Sequence, residues 1–324
     1  MISIIICHRN KNFLDGITKS IKSTIGVPYE LIIIDNSENK YNILSAYNTG
    51  VKRANFDILC FSHEDIVFYT QNWGEKVIAH FKNPEVGMIG IMGALAQSAV
   101  PSAWWFNNYF AKTARNFLMR SPYTKDKKMY RYYSNPYNDV DKTEVVIIDG
   151  LWFCIRKDLF KKIEFDEKVF NGFHIYDADI SMQVLQYAKN YVIFDILLDH
   201  FWTGKINGDY YMDLIRFANK WKDKLPVQNH KIENRYMDTY NWHALRTLIL
   251  EMKTKDIPDK YIRDIFKKYY SILISQHNSY WFRSYFFLSR FIGFRYANSV
   301  FYRIEKLAGI CKTPGYVRKE FIEN

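Results

Sequence analysis

The sequence predicts an α/β fold with a doubly wound, mostly parallel sheet, followed by a helical C-terminal region. Short aliphatic runs recur through the N-terminal part of the chain, as expected for strands buried on both faces. Segments with apolar residues at helical spacing separate these runs, and the connections are short. Parallel strands need such crossover helices, so the alternation indicates a parallel sheet.

The first strands and helices alternate regularly along the chain. The predicted strands are Ile2–Cys7, Glu30–Asp35, Ile58–Phe61 and Val86–Ile91. The predicted helices lie around Leu14–Ile21, Leu44–Ala54 and Trp73–Phe81. Val27-Pro28 ends the first helical pattern, because proline lacks the amide hydrogen that a helix interior needs.

Residues 100–144 interrupt this alternation. They are rich in Trp, Tyr, Asn and Lys, and we interpret them as a long inserted loop or a small helical excursion. The regular pattern then returns. The further predicted elements are a strand over Val145–Ile155 that bends at Gly150, helices over Asp158–Ile163 and Ile180–Ala188, and a strand over Tyr191–Leu198.

From about Asn207 the periodicity is helical to the end of the chain, so we divide the chain into domains 1–206 and 207–324. The net charge is +11, and residues 205–324 contribute +10 of it, from 22 Lys or Arg and 12 Asp or Glu. Aromatic residues and arginines alternate within residues 270–303. This basic region either meets an anionic partner or is solvated.

Composition excludes several classes of protein. Hydrophobic residues make up 48% of the 324 residues, which excludes a disordered chain. No apolar run reaches the roughly 18–20 residues that span a bilayer, and the N-terminus lacks the pattern of a signal peptide. The four cysteines form no CxxC pair, so we expect neither zinc nor a disulfide framework. A cytoplasmic location fits these features.

Polar clusters follow two of the predicted strands. Asp35-Asn36-Ser37 could bond a base or a ribose, although the same residues commonly form a plain turn. His63-Glu64-Asp65 follows a buried apolar run, where acidic groups are costly unless they meet a cation or hydrogen-bond donors. Carboxylates suit Mg²⁺ or Mn²⁺ on a diphosphate, and the alternative is a solvated loop. Ligands bind at this edge of open α/β sheets.

Two further clusters lie late in the N-terminal domain. Asp177 and Asp179 precede a predicted helix, where one could act as a general base and the other as a helix cap. We assign the base to Asp177 and the cap to Asp179. Asp199-His200 follows the last strand, and His200 could complete a cation site begun by Asp65 or be a structural histidine.

Residues 2–204 resemble a family-2-type glycosyltransferase of the GT-A fold, because these motifs follow one another in the order typical of that family. Within the family, the chain resembles the StrF-like branch more closely. The matching segments, in chain order, are Ile2–Ile6, Glu30–Ser37, Asn48–Ala54, His63–Asp65, Asp149-Gly150, Phe165–Glu167, Asp177–Asp179 and Asp199-His200. Two segments differ from the family pattern. Cys7-His8-Arg9-Asn10 replaces the usual Pro-x-Tyr-Asn, and His63 stands where the DxD motif has its first Asp.

The resemblance implies roles for individual residues. The implied nucleotide-binding residues are Cys7, His8, Arg9, Asp35, Asn36, Ser37, Gly50, His63 and Glu64. Gly150, Trp152 and Asp179 would contact the sugar or acceptor, and 100–144 would be an acceptor-side loop. Asp65 and His200 would hold Mg²⁺ or Mn²⁺. Because His63 replaces the usual Asp, the resemblance leaves open whether the activity requires the metal. Asp177 would be the catalytic base.

The resemblance implies an inverting transfer from a nucleoside-diphosphate sugar, with UDP as the expected nucleotide, to a glycan or lipid-linked hydroxyl. The alternative is a non-catalytic protein that binds a sugar nucleotide or glycan on the same fold. The basic aromatic helices could contact the inner membrane surface or pack as a helical lobe or homodimer. Nucleic acid is not expected as a partner, because the basic residues are spread over many helices.

Overall fold

The computed structural model describes residues 1–106, 112–120, 128–201, 208–255, 257–276, 280–307 and 317–320. The chain divides into two compact units. The first unit comprises Met1–Leu95, Thr113–Lys205 and Tyr316–Asn324, and the second comprises Ala96–Lys112 and Ile206–Gly315. Residues 96–112, which the sequence analysis placed in the N-terminal domain, therefore belong to the second unit. None of the helices within these described ranges is long and apolar enough to cross a bilayer.

Among the residues described, the first unit contains four α-helices and most of the strands. Its helices are α1 (Lys11–Thr24), α2 (Ile43–Arg53), α3 (Trp73–Phe81) and α4 (Tyr176–Val184). Its strands before residue 121 are β1 (Ile2–His8), β2 (Tyr29–Asp35), β3 (Ile58–Ser62), β4 (Ile66–Phe68), β5 (Val86–Gly90), β6 (Met92–Ala94) and β8 (Thr113–Arg120). The later ones are β9 (Met129–Ser134), β10 (Lys142–Val145), β11 (Ile147–Ile148), β12 (Trp152–Arg156), β13 (Lys189–Ile193), β14 (Leu198–His200) and β16 (Val317–Glu320).

The second unit is mainly helical. Its helices are α5 (Gly208–Lys220), α6 (Asn234–Met252), α7 (Asp259–Gln276), α8 (Tyr280–Ile292) and α9 (Phe294–Leu307). Two short strands, β7 (Ala96–Gln97) and β15 (Val227–Gln228), pair antiparallel within it.

The main sheet has the strand order β10-β13-β5-β12-β3-β1-β2. Strand β1 pairs in parallel with β2 and β3, whereas β12 runs antiparallel between β3 and β5. A second sheet has the order β11-β6-β8-β14-β4, and β9 joins it to β16. The predicted α/β fold is thus confirmed, and the carboxyl ends of β1, β2 and β3 meet at one edge of the main sheet.

Three local predictions were wrong. The described parts of 100–144 include the strands β8, β9 and β10 rather than only loop or helix. The single bent strand predicted over Val145–Ile155 is divided among β10, β11 and β12, because the chain crosses from one sheet to the other. Val317–Glu320 is a strand on β9 and not a helix.

An aromatic cluster fills the core of the first unit beside α2. The Tyr47 ring lies 5.0 Å from Phe61 and 5.3 Å from Phe165, and Phe61 stacks on Phe153 at 5.0 Å. Helix α2 approaches β1 closely at Gly50, where an added Cβ would lie 2.3 Å from Cγ2 of Ile5. Glycine at residue 50 therefore sets the distance between this helix and the sheet.

A buried ion pair anchors the second unit. The Arg246 guanidinium donates two hydrogen bonds, of 2.9 and 3.1 Å, to the Glu305 carboxylate, and it joins α6 to α9. Arg246 is 3% exposed and Glu305 is 0% exposed. The Trp281 indole also donates to Glu305, which satisfies a further carboxylate lone pair. Buried charges need this degree of pairing to offset their desolvation.

Gly50→Ala should destabilise the protein by about 1–3 kcal/mol, because the new methyl group would overpack the contact with Ile5. Gly16→Ala is the matched control in α1, since no atom beyond the neighbouring helix backbone lies within 4 Å of the position of its Cβ. That change should stabilise the fold by roughly 0.5–1 kcal/mol through helix propensity. Urea unfolding measures both variants, and equal effects would contradict the packing argument.

Candidate active site

The parallel register brings the ends of three strands together. His8 at the end of β1 is paired with Asp35 at the end of β2, and Ile6 is paired with Ser62 at the end of β3. The His8 Nε2 atom lies 3.6 Å from the Asp35 carboxylate. The segments that the sequence analysis selected, beginning at Cys7, Asp35 and His63, therefore share one edge of the sheet. Burial raises the pKa of the Cys7 thiol to about 11, so Cys7 is a neutral thiol there.

Asp35 points outward from this edge, whereas Asn36 points inward. The Asp35 side chain is 69% exposed, and its Oδ1 accepts a hydrogen bond from the Ser37 amide. Hydrogen bonds from the Ser37 backbone and side chain lower the pKa of the Asp35 carboxyl, with a smaller contribution from His8. The Asn36 side chain bonds the backbone N–H and C=O of Tyr41. Asn36 thus closes the turn that leaves the Asp35 carboxylate exposed at the end of β2.

Glu64 holds the loop that follows β1. Its carboxylate accepts hydrogen bonds from the Arg9 amide, at 3.1 and 3.2 Å, and from the Asn10 amide at 3.0 Å. Asn10 in turn caps α1 by accepting from the Asn12 amide. In this structure Glu64 fixes the backbone at Arg9 and Asn10, so its link to a nucleotide would be indirect.

His63, Asp65 and His200 form a compact cluster, in which one ligand atom from each side chain lies within 4.8 Å of the others. Asp65 directly precedes β4, and His200 is the last residue of β14, where it is opposite Ile66. The Asp65 carboxylate lies 3.5 Å from His200 Nε2 and 3.8 Å from His63 Nδ1. The structure therefore joins residues that the sequence separates by more than a hundred positions.

The tautomer of His63 follows from its hydrogen bonds. Its Nε2 lies 2.9 Å from the Tyr176 hydroxyl, and this hydroxyl donates to the Gly150 carbonyl at 3.1 Å. A phenol has only one hydrogen to donate, so Nε2 of His63 must carry the proton of the first bond. The Nδ1 lone pair is then left facing the Asp65 carboxylate.

The charges of the cluster suit a cation. Burial lowers the pKa of His63, against an opposing effect of Asp65, and this keeps the imidazole neutral. Burial alone would raise the pKa of Asp65, but the neighbouring imidazoles of His200 and, to a smaller extent, His63 lower it overall. A carboxylate and an imidazole lone pair that face each other can share a divalent cation, and their donor types suit Mn²⁺. Tyr176 would orient His63 from outside the coordination shell.

Asp177 lies in the first turn of α4 and is half-buried. Its Oδ2 accepts from the Gly150 amide and its Oδ1 from the Ala178 amide, each at 2.8 Å. Burial raises the pKa of the Asp177 carboxyl to about 7, with a further contribution from the negative charge of Asp149. A carboxyl with this pKa can accept a proton from a bound hydroxyl near neutral pH.

Gly150 connects Asp177 to His63 of the cluster. Its amide bonds Asp177 and its carbonyl bonds Tyr176, which bonds His63. A Cβ at residue 150 would lie 2.2 Å from the Tyr176 hydroxyl oxygen, so this approach requires glycine. The role that the structure indicates for Gly150 is to hold this network together.

Three other predicted ligand contacts lie in structural positions. Trp152 is 0% exposed and packs edge-on against Trp73, so neither face of its ring is open to a sugar. Asp179 is 1% exposed and accepts a hydrogen bond from Gln183 within α4. Gly50 faces Ile5 in the packing between α2 and β1. These positions oppose direct ligand contact at all three residues.

Two residues of the site were not predicted from the sequence. Asp149 contributes to the raised pKa of Asp177, and its position directly after the apolar run of β11 is a signal that could have indicated it. Tyr176 fixes the tautomer of His63. No local pattern marks Tyr176, because its partners lie 26 and 113 positions away in the chain.

Comparisons with known proteins agree with this fold. Residues 3–221 match the family described as "Glycosyltransferase like family". The streptomycin biosynthesis protein StrF of Streptomyces griseus is 25% identical over 198 residues, which cover 59% of this chain and 64% of StrF. This chain thus spans less than two thirds of the length of that curated relative.

Two solved structures extend the comparison. The structure of GalNAc-T7 with UDP, GalNAc and Mn²⁺ superposes with a TM-score of 0.50 and 12% identity, over 83% of this chain and 54% of GalNAc-T7. S. aureus TarS 1–349 in complex with UDP-GlcNAc has a TM-score of 0.47 and 12% identity, over 84% of this chain and 80% of that one. With the family match, the likeness to GalNAc-T7 confirms the predicted GT-A fold.

Asp177→Asn should change stability in a pH-dependent way. The pKa of Asp177 is raised from 3.8 to about 7, so its stabilising contribution is present below pH 4 and is lost as the pH rises through 7. The melting temperature of the variant minus that of the wild type should therefore become more positive between pH 4.5 and pH 8. Thermal unfolding across this range measures the difference, and a constant difference would contradict the raised pKa.

Proposed function

We propose a function from the premise that this chain belongs to the glycosyltransferase-like family. The protein transfers a sugar from a nucleoside-diphosphate sugar to an acceptor hydroxyl group. The observation that carries this proposal is a half-buried carboxyl with a pKa of about 7, Asp177, hydrogen-bonded through Gly150 and Tyr176 to a cluster of cation ligands. A transferase needs a base for the acceptor and positive charge for the leaving group.

The donor is a UDP-linked sugar bound at the edge formed by β1, β2 and β3. Asp35 is exposed there and its turn is closed by Asn36, which supports a contact with the base or ribose. GalNAc-T7, which shares the fold, holds UDP, GalNAc and Mn²⁺ in its crystal structure. For this reason UDP and Mn²⁺ are the first ligands to test.

Asp177 is the catalytic base. Its two oxygens are oriented by the amides of Gly150 and Ala178, and each oxygen retains a lone pair for the acceptor hydroxyl. The carboxylate takes the hydroxyl proton as the acceptor oxygen bonds to the anomeric carbon of the sugar. The bond from that carbon to the diphosphate breaks on the opposite face, so the configuration inverts. Holding the two reactants in this alignment supplies much of the rate enhancement.

The leaving group departs beside His63, Asp65 and His200. These residues would hold Mn²⁺ or Mg²⁺, through Nδ1 of His63, a carboxylate oxygen of Asp65 and Nε2 of His200. A bound divalent cation would neutralise charge that develops on the nucleoside diphosphate. Tyr176 keeps the Nε2 proton of His63 directed away from this position. A glycan or a lipid-linked sugar is the acceptor that the family resemblance suggests.

Asp177→Asn should lower the rate of sugar transfer by at least 100-fold, because an amide cannot accept the hydroxyl proton. The affinity for UDP should be unchanged. A UDP-release assay with UDP-GlcNAc or UDP-GalNAc and calorimetry with UDP measure the two quantities. The control is Asp158→Asn, which alters an exposed aspartate in the same unit. Retained turnover in Asp177→Asn would exclude Asp177 as the base.

UDP should raise the melting temperature more in the presence of Mn²⁺ than in its absence, because ligands that bind the native state stabilise it. Asp65→Asn should remove the part of this shift that requires Mn²⁺. The control is Asp15→Asn on the exposed face of α1. If Mn²⁺ has no effect on the wild type, the cluster of His63, Asp65 and His200 does not serve the nucleotide.

A further inference from the structure

Exposed apolar side chains are concentrated in two helices. Among the described residues, 13 large hydrophobic side chains are exposed, and nine of them lie in α8 and α9. The other four are scattered through the first unit. Single exposed hydrophobic residues are ordinary on a protein surface, but a concentration of them marks an interaction site.

Helix α8 has two apolar faces. Phe282, Tyr285 and Phe286 are buried and pack within the second unit. Tyr280, Phe287 and Phe291, at spacings of seven and four residues, lie on a different face. Their exposed fractions are 74%, 62% and 71%. The helix is therefore already anchored, and the second face is available to a partner.

Helix α9 repeats this arrangement. Its inner face buries Ala297, Phe301 and Glu305. Tyr296, Val300 and Leu307 share the outer face, with exposed fractions of 74%, 42% and 88%. Only Gly293, with a φ of 80°, separates the two helices. Two successive helices thus present apolar outer faces.

The charge around these faces is positive. Residues 280–307 contain five Lys or Arg and one acidic residue, Glu305, which is buried against Arg246. Arg290, Arg295 and Arg303 are exposed. Arg303 lies seven residues from Tyr296 and hence on the same face as that side chain. The outer surface of α8 and α9 therefore combines apolar side chains with exposed arginines.

We propose that the outer faces of α8 and α9 dock on the surface of an anionic lipid bilayer. Aromatic and aliphatic side chains would enter the boundary between headgroups and acyl chains, and the arginines would contact lipid phosphates. Aliphatic residues such as Val300 and Leu307 cannot stack on bases, which disfavours single-stranded nucleic acid. Apposition of two such positive surfaces would be repulsive, which disfavours a second copy of the chain.

The docking is peripheral, since no helix among the residues described can span a membrane. The docking surface consists of α8 and α9 alone, so lipid binding does not depend on the proposed sugar transfer. The aromatic and arginine residues of α8 and α9 would then have a function, although the proposed active site in the first unit does not use them.

Flotation of the full chain with lipid vesicles tests the proposal. The protein should float with vesicles that contain phosphatidylglycerol and remain at the bottom with phosphatidylcholine alone, and high salt should weaken the binding. The triple variant Phe287→Ser, Phe291→Ser, Tyr296→Ser should bind at least tenfold more weakly. All three residues are exposed, so circular dichroism and thermal unfolding should show an intact fold.

The matched control is Val140→Ser with Tyr187→Ser, which removes exposed apolar side chains from the first unit. This variant should bind vesicles as the wild type does. Equal loss in the control and the triple variant would overturn the proposal. So would failure of the wild type to float with anionic vesicles. A wild-type dimer in solution that the triple variant dissociates, with no vesicle binding, would show that the surface serves self-association instead.

Discussion

The arrangement of the site depends on the contact between Gly150 and Tyr176. One glycine bonds Asp177 through its amide and Tyr176 through its carbonyl, and Tyr176 reaches His63. The contact is close enough that any side chain at residue 150 would collide with the tyrosine hydroxyl. The proposed base and His63, one of the proposed cation ligands, are therefore parts of one hydrogen-bonded frame. A shift of α4 against the segment that contains Gly150 would disturb both groups together, so Tyr176 would act on the proposed site without touching a substrate.

The same packing has an energetic cost. Burial of Asp177 beside Asp149 raises its pKa, and ionising it near neutral pH works against folding. The neighbouring aromatic core, with Tyr47 against Phe61 and Phe165, supplies apolar burial that can offset this cost. Groups with perturbed pKa values are characteristic of functional sites, where stability is reduced locally to prepare a group for chemistry. Asp179, two residues away, is also buried, but it accepts a hydrogen bond from Gln183, which is a structural role within α4.

The second unit is stabilised by a buried ion pair. Its buried pair of Arg246 and Glu305 ties α6 to α9, so the inner faces of the last helices are fixed by polar as well as apolar contacts. Breaking such a pair would leave an uncompensated charge in the interior. Because this anchor does not use the outer faces of α8 and α9, those faces remain apolar and positively charged. The second unit therefore combines a core fixed by a buried ion pair with a surface suited to an interface. Its residues are separate from those of the site in the first unit.

Local signals in the sequence were sufficient for the parallel strands β1, β2 and β3 and for the carboxylates and imidazoles that follow them. Continuous aliphatic runs and strand–helix alternation depend on neighbouring residues, so they can be read without the fold. The strands β8 and β9 were missed because their polar residues are satisfied by distant partners. Asn116, for example, donates to the carbonyls of Phe194 and Ile196. The sequence by itself determined which chemical groups lie at the strand ends. Only the tertiary structure decided that His63, Asp65 and His200 form one cluster, that Asp177 has a raised pKa, and that Trp152 is buried. Side-chain direction and burial arise from contacts between residues far apart in the chain, and no local pattern encodes them.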